Sequence, residues 1–363
     1  MRFRCWLFVS LMLNSGFVFS KSNLEKELSL IANQFISESG YVGLSVAAQQ
    51  GGKELFNLSF GHTDIERTHP FTMNTVVALG SNMKVVTANF IHQLSEQQKI
   101  DINAPFGRYL RNNIKYGNKV KIKDLLCHTS GLPNVFGEGE FLDYHWEKAL
   151  SKKELLDRIN SSVINPVPNN KYEYNNTGYL ILGWIIEDVT GMTLGDYTRE
   201  HLIKPHNLQK TYYLGDTFHI PNFSDGFQSK NGNLQAIPQE ELIEYRVVGG
   251  AGALGGTLSD YNKWFSLVAK GKLVSAKTKQ LMQTPCKLNS GENAPEALGI
   301  EWSEVEGEKA LNGGGVVNGF LSLSYYFPEY DLTIGFVGNT ETDWIAFYEK
   351  YFATVLRWYK NQH

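Results

Sequence analysis

The chain has 363 residues, 42% of them hydrophobic and 20% charged, with a formal net charge of −3. That length suggests one large domain or two intergrown ones, enough to bury a core and shape a pocket. Aromatic content of 13% argues against disorder, the near-neutral charge gives no basic face for nucleic acid, and three cysteines are too few for a disulfide scaffold.

The chain opens with Met1-Arg2-Phe3-Arg4, a short basic start, followed by an apolar run from Cys5 to Phe19. Val18 and Ser20 stand three and one residues before Lys21, the spacing a signal peptidase reads. Residues 1–20 therefore read as a signal peptide. The run is shorter than the roughly 20 residues a membrane span needs, and no lipobox precedes Cys5. Losing Arg2 and Arg4 takes the net charge from −3 to −5. The mature chain is expected to be exported, periplasmic or secreted, with no transmembrane anchor. Two cysteines remain, and the apolar context Leu125-Leu126-Cys127-His128 reads as a small buried residue rather than as half of a disulfide with Cys286.

Leu24, Leu28, Ile31 and Phe35 recur at helical spacing and predict an N-terminal helix. Residues 43–49 and 53–60 are β-rich runs joined by Gly51-Gly52, a hairpin signal. Residues 81–98 hold no Gly or Pro, and Val86, Phe90 and Leu94 recur every four positions, as in a buried helix. From about 100 to 300 the pattern is mostly helical pieces and loops, with helices at 178–189 and 260–269. Residues 321–327 and 332–338 predict a second hairpin, and 343–359 a closing helix with Trp344, Phe347, Tyr351 and Leu356 on its apolar side. Strands at both ends imply one sheet built from 21–80 and 300–363. The span 81–299 then forms a mainly helical insertion, giving an α+β fold overall.

Three constellations carry chemistry. Ser81-Asn82-Met83-Lys84 is an SxxK at the start of the buried helix. Positions three apart share a helical face, so hydroxyl and amine can meet. A serine hydroxyl needs a neighbouring base, and a lysine serves when burial lowers its pKa. The helix start also aims free N–H groups at a developing oxyanion. A chain this rich in Ser and Lys is expected to hold about one SxxK by chance. The second constellation is Tyr174-Asn175-Asn176, where a phenol near an ammonium can share the base role and an amide can hold lysine and substrate. Its plain alternative is a turn capped by Asn176 or Thr177 before a helix at Gly178. The third is Leu311-Asn312-Gly313-Gly314-Gly315-Val316-Val317-Asn318-Gly319-Phe320, whose glycines permit close backbone approach. A strand edge there would donate a second oxyanion N–H; the plain alternative is a flexible hairpin loop.

In this order and spacing the three sites resemble the serine β-lactamase and penicillin-binding-protein superfamily, in particular its class C and DD-peptidase branch. Residues 125–133 (Leu-Leu-Cys-His-Thr-Ser-Gly-Leu-Pro) are similar to the family's LLTHTSGLP loop, 174–183 to its YSNxGYxLLG run, and 249–260, with Thr257 and Asp260, to its GG…ST…D segment. The resemblance spans about 25 to 345. It implies a β-lactamase/transpeptidase-like fold in which Ser81 is acylated and Lys84 and Tyr174 share general base and acid duty. It also implies that Asn176 positions Lys84 and substrate. The Ser81 N–H, with that of Gly315 or Val316, would hold the oxyanion. The third family motif normally opens with Lys or His. Here the aligned residue is Asn312 or Gly313, neither charged, which weakens the case for carboxylate-bearing β-lactams. Gly256, where relatives often carry Ser, is a milder departure.

Other signals are set aside. Residues 250–255 spell GxGxxG, but no acidic residue follows in 270–290 and an exported chain has no evident dinucleotide supply. The nine histidines form no metal-ligand spacing, and His128 reads as structural. The sequon at Asn175 would crowd the site if glycosylated, which fits a bacterial source. The expected activity is hydrolysis through a Ser81 acyl-enzyme without metal or organic cofactor. Expected substrates are D-amino-acid peptides of cell-wall type and small esters or amides, with β-lactams ranked last. The competing expectation is a catalytically impaired relative that binds peptidoglycan fragments or a protein partner.

Overall fold

The computed structural model describes residues 20–136, 150–216, 219–230, 233–237, 245–317, 319–342 and 344–362. Of the signal segment expected at residues 1–20, residues 1–19 lie outside the described ones, as do Asn318 and Asp343. Helix α1 (Lys21–Ser39) starts where Ser20 accepts the Asn23 N–H in its side chain, and ends at Gly40 with φ of 73°. Its apolar stripe of Leu24, Leu28 and Ile31 is buried against the sheet and the closing helix.

The sheet has six antiparallel strands. They are β1 (Gly43–Gln50), β2 (Lys53–Gly61), β3 (Glu301–Val305), β4 (Glu308–Val317), β5 (Phe320–Phe327) and β6 (Leu332–Gly338), in the order β2-β1-β6-β5-β4-β3. Chain ends far apart in sequence thus meet as neighbours, Leu44 opposite Gly338. Gly51 and Gly52, both at positive φ, close the first hairpin. Side chains alternate between two buried faces. Val46, Leu323, Tyr325, Ile334 and Phe336 pack with α1 and the closing helix, whereas Ala47, Ser322 and Ser324 turn to the other side.

That other side carries helices α2 (Asn82–Glu96), α3 (Asn176–Thr190) and α4 (Leu258–Ala269). The closing helix α5 (Ile345–Lys360) buries Phe347, Tyr351 and Leu356 as expected. Residues 100–300 are less helical than expected. Short strands Val77–Ala78, Thr211–Tyr213 and Leu254–Gly256 form a three-stranded sheet, and Phe227–Lys230 and Asn233–Ala236 pair with Thr340–Glu341. Strands of two to four residues offer too little alternation to register in sequence. The glycine run at 313–315 is likewise not a loop: it lies inside β4, its ladder with β5 intact.

Cys127 and Cys286 are joined by a disulfide across 159 residues, contrary to the expectation of a lone buried thiol. Local apolar context does not reveal a partner this distant in sequence. Among the described residues no helix is long and apolar enough to cross a membrane.

Candidate active site

Ser81 immediately precedes α2 in helical conformation, and its hydroxyl makes no capping bond, so it is left to the cavity. Lys84, one turn on, donates from Nζ to Ser81 Oγ at 3.1 Å and to the Ala251 carbonyl at 2.8 Å. The GxGxxG-like segment therefore serves here as a backbone acceptor that aims the lysine. Lys84 is buried, and desolvation pulls its amine down to about 7.

Tyr174 reaches the same oxygen from the segment before α3, its hydroxyl donating to Ser81 Oγ at 2.7 Å. The Lys84 ammonium also lies 4.7 Å from the centre of the Tyr174 ring. Asn176 does not join this group, since no hydrogen bond links it to Lys84. It is the first residue of α3, one place past the cap. The cap is Asn175, whose Oδ1 accepts the Gly178 N–H at 2.9 Å and whose Nδ2 donates to the Leu132 carbonyl. Neither Asn176 nor Thr177 caps the helix, and the side chain of the Asn175 sequon is buried.

The third constellation meets Ser81 edge-on. β3 pairs with β4 only up to Asn312, leaving residues 313–317 with a free edge among the described residues. Val317 pairs with Phe320 and Val316 with Leu321. In the alternation of an antiparallel ladder this turns the Val316 N–H outward and the Gly315 backbone toward β5. Gly313 and Gly315 share the face against α2. A Cβ on Gly315 would lie 2.2 Å from the Leu79 carbonyl oxygen and 2.9 Å from the Ser81 nitrogen; on Gly313 it would lie 2.7 Å from both Asn82 Oδ1 and Phe265. Gly314 and Asn312 face the other way, with Asn312 hydrogen-bonded to Ser303 and Glu301.

The space a longer residue at 313 would need is thus taken by Phe265 and Asn82. Asn82 is fully buried and ties three elements together. Its Nδ2 donates to the Leu79 carbonyl and to Ser322 Oγ, and its Oδ1 lies 2.6 Å from the Tyr261 hydroxyl. Sequence reasoning passed over Asn82 as a spacer inside the SxxK.

Ser81, Lys84, Tyr174, Asn312, Gly313 and Gly314 line one cavity of about 300 Å³, together with His128, Glu296 and Glu301. The two carboxylates were not anticipated, because nothing local marks them. Burial raises Glu296 to about 7, and Glu301 is raised for the same reason. Among the described residues no group of His, Cys, Asp and Glu is arranged to hold a metal ion. The cavity thus offers a nucleophile, two proton carriers within hydrogen-bond reach, and two backbone donors beside it.

Comparison with known proteins gives the family. The Beta-lactamase family matches residues 29–354. The chain is 25% identical over 336 residues to penicillin-binding protein 4* of Bacillus subtilis, covering 89% of this chain and 73% of that protein. It is 28% identical over 248 residues to teichoic acid D-alanine hydrolase of Staphylococcus aureus, covering 68% of this chain and 58% of that protein. Among solved structures, D-amino acid amidase of Ochrobactrum anthropi superposes with a TM-score of 0.78 at 21% identity, over 93% of this chain and 98% of that one. The chain belongs to the beta-lactamase family and is a serine hydrolase.

Proposed function

We propose that this chain is an exported acyl hydrolase working through a Ser81 acyl-enzyme on D-amino-acid peptides and small esters or amides. The observation that carries the reading is the convergence of Lys84 Nζ and Tyr174 Oη on Ser81 Oγ, at 3.1 and 2.7 Å. Neutral Lys84 takes the hydroxyl proton as Ser81 Oγ bonds to the substrate carbonyl carbon. The N–H groups of Ser81 and Val316 stabilise the resulting oxyanion. As the C–N or C–O bond breaks, the proton passes through Tyr174 or Lys84 to the leaving group. Water then attacks the ester by the reverse route. The names of the relatives, a teichoic acid D-alanine hydrolase and a D-amino acid amidase, support D-configured acyl groups.

The uncharged Gly313 supports placing β-lactams last, because no side chain there supplies a cation for their carboxylate. The same feature is what favours the second reading, a catalytically impaired relative that binds peptidoglycan fragments or a protein partner. Export is supported by the basic-apolar start of the chain and by the Cys127–Cys286 disulfide, a bond that persists in oxidising compartments.

The test is a hydrolysis panel with the purified mature chain: a D-Ala-D-Ala peptide, D- and L-amino acid amides, a short-chain nitrophenyl ester and a cephalosporin. The reading expects turnover of a D-configured substrate or the ester, D over L at least about tenfold, and the cephalosporin slowest. Turnover of none of them, by a folded protein, would leave the binder.

A further inference from the structure

Glu296 has an unusual set of neighbours. Its Oε1 accepts the Tyr172 hydroxyl at 2.9 Å, and its Oε2 lies 3.4 Å from His128 Nε2. The His128 ring has its other nitrogen committed, since Nδ1 accepts the Asn175 N–H at 2.9 Å. The imidazole is therefore the neutral tautomer with its proton on Nε2, aimed at Glu296. Burial and the field of Lys84 hold it neutral, down to about 3. A carboxylate largely shielded from water, as Glu296 is with 17% of its side chain exposed, normally has a cation beside it. Among the described residues Glu296 has no Lys or Arg in ion-pair contact, only this neutral ring and a phenol. The cation whose field reaches it is Lys84, with which it shares the cavity.

The framework around Glu296 is built to hold it there. His128 sits at φ of 54°, a left-handed backbone uncommon outside glycine, and stacks on Tyr174 with ring centroids 4.5 Å apart. Tyr179 covers its other flank at 4.9 Å. Cys127, next to His128, is disulfide-bonded to Cys286, and the Cys286 N–H donates to the Glu296 carbonyl at 3.3 Å. This covalent crosslink thus joins the segment carrying His128 to the segment carrying Glu296.

We propose that Glu296 is a positioning residue for acyl transfer: its carboxylate, fixed by Tyr172, His128 and the Cys127–Cys286 crosslink, supplies the negative charge that stabilises Lys84 once Lys84 has taken the Ser81 proton. This rests on the acyl-enzyme reading above. The balance is simple. The proton leaves Ser81 Oγ for Lys84 Nζ, an ammonium appears in a desolvated cavity, and Glu296 faces it without itself gaining a proton. The other groups facing Lys84 are neutral acceptors or rings: Ser81 Oγ, the Ala251 carbonyl, Tyr174, Tyr179 and His128. Glu301 lines the same cavity, and its charge raises the proton affinity of Glu296 further.

The sign of the effect follows. An anion near Lys84 raises its proton affinity, so removing the charge must lower it. The experiment titrates Lys84 Nζ by NMR in selectively labelled protein, alongside kcat/KM against pH with a nitrophenyl ester, for the wild type, Glu296→Gln and Tyr172→Phe. Glu296→Gln keeps the size and an acceptor for Tyr172. Tyr172→Phe removes the bond that favours the Glu296 carboxylate, and so tests the same charge without touching residue 296. The proposal expects the Lys84 midpoint, and with it the acid limb of kcat/KM, to fall by about half a unit or more in Glu296→Gln. Tyr172→Phe should give a smaller fall in the same direction. A loss of rate at every pH with both midpoints unmoved would mean Glu296 only supports the fold, and would overturn it. Ester turnover absent in the wild type, with the Lys84 midpoint still displaced, would sink the acyl-enzyme reading and leave the charge coupling supported.

Discussion

The Tyr174 hydroxyl donates to Ser81 Oγ at 2.7 Å, across 93 residues of sequence. The turn that delivers it is set by Asn175, which caps α3 with one end of its amide and holds the Leu132 carbonyl with the other. A phenol so placed can relay the proton between Ser81 and the leaving group. Tyr174→Phe is expected to cut kcat by about 10²–10⁴-fold, the range of general acid–base catalysis, with little change in KM. Steady-state kinetics on an ester and an amide check it, and the amide, with its poorer leaving group, should suffer more.

The pH profile follows from Lys84. Its folded-state proton affinity is lowered to about 7, and the base must be neutral to act. Ester hydrolysis should therefore rise as pH increases through about 7, then level off. The stability consequence has a fixed sign. Between about 7 and the ordinary lysine value the unfolded chain binds more protons than the folded one, so stability rises with pH over that window. The destabilisation is fully present below about 7. Lys84→Met should abolish turnover yet raise the thermal midpoint, with a larger gain at pH 6 than at pH 9. Calorimetry at both pH values measures this.

Much of this site is legible in the sequence, and the reason is geometric. Ser81 and Lys84 are one helical turn apart, and Tyr174 stands two residues before a helix, so local spacing announces them. The strands 43–50 and 332–338 were readable from alternation and turn glycines. Glu296, His128, Asn82 and the Cys127–Cys286 bond were not readable as a group. Their meaning lies in partners 159 to 240 residues away, such as Ser322 for Asn82 and Cys286 for Cys127. The glycine run left a strand edge and a hairpin loop both open, for a different cause. Glycine disfavours strands in general, but here β4 passes so close to the Ser81 backbone that no side chain fits. At Asn176 the spacing points to a lysine partner, and the amide that caps α3 is that of its neighbour Asn175.

Gly315 gives the sharpest steric prediction. A methyl group there would lie 2.2 Å from the Leu79 carbonyl oxygen and 2.9 Å from the Ser81 nitrogen. Backbone on both sides leaves no flexible side chain to yield. Gly315→Ala should destabilise the fold by about 1–3 kcal/mol, the range for overpacking, and move β4 away from the oxyanion position. Urea denaturation reads the first effect. A fall in kcat larger than any change in KM reads the second. Gly314→Ala, whose Cβ would meet the flexible Leu323 side chain at 3.4 Å and the Ser322 carbonyl oxygen at 3.9 Å, an ordinary contact, should be tolerated and serves as the control.

The disulfide closes a loop of 159 residues. Constraining the unfolded chain over so long a loop is worth about 2–5 kcal/mol. Cys127→Ala with Cys286→Ala should lower the thermal midpoint by several degrees, and reductant should lower the wild type to about the same value while leaving the double variant unchanged.

The central claim is that Ser81 is the nucleophile. The purified chain, treated with a fluorophosphonate and digested, should carry the adduct on the peptide containing Ser81 when mapped by mass spectrometry, and Ser81→Ala should carry none. An adduct on another residue, or equal labelling of a folded Ser81→Ala protein, would contradict the account.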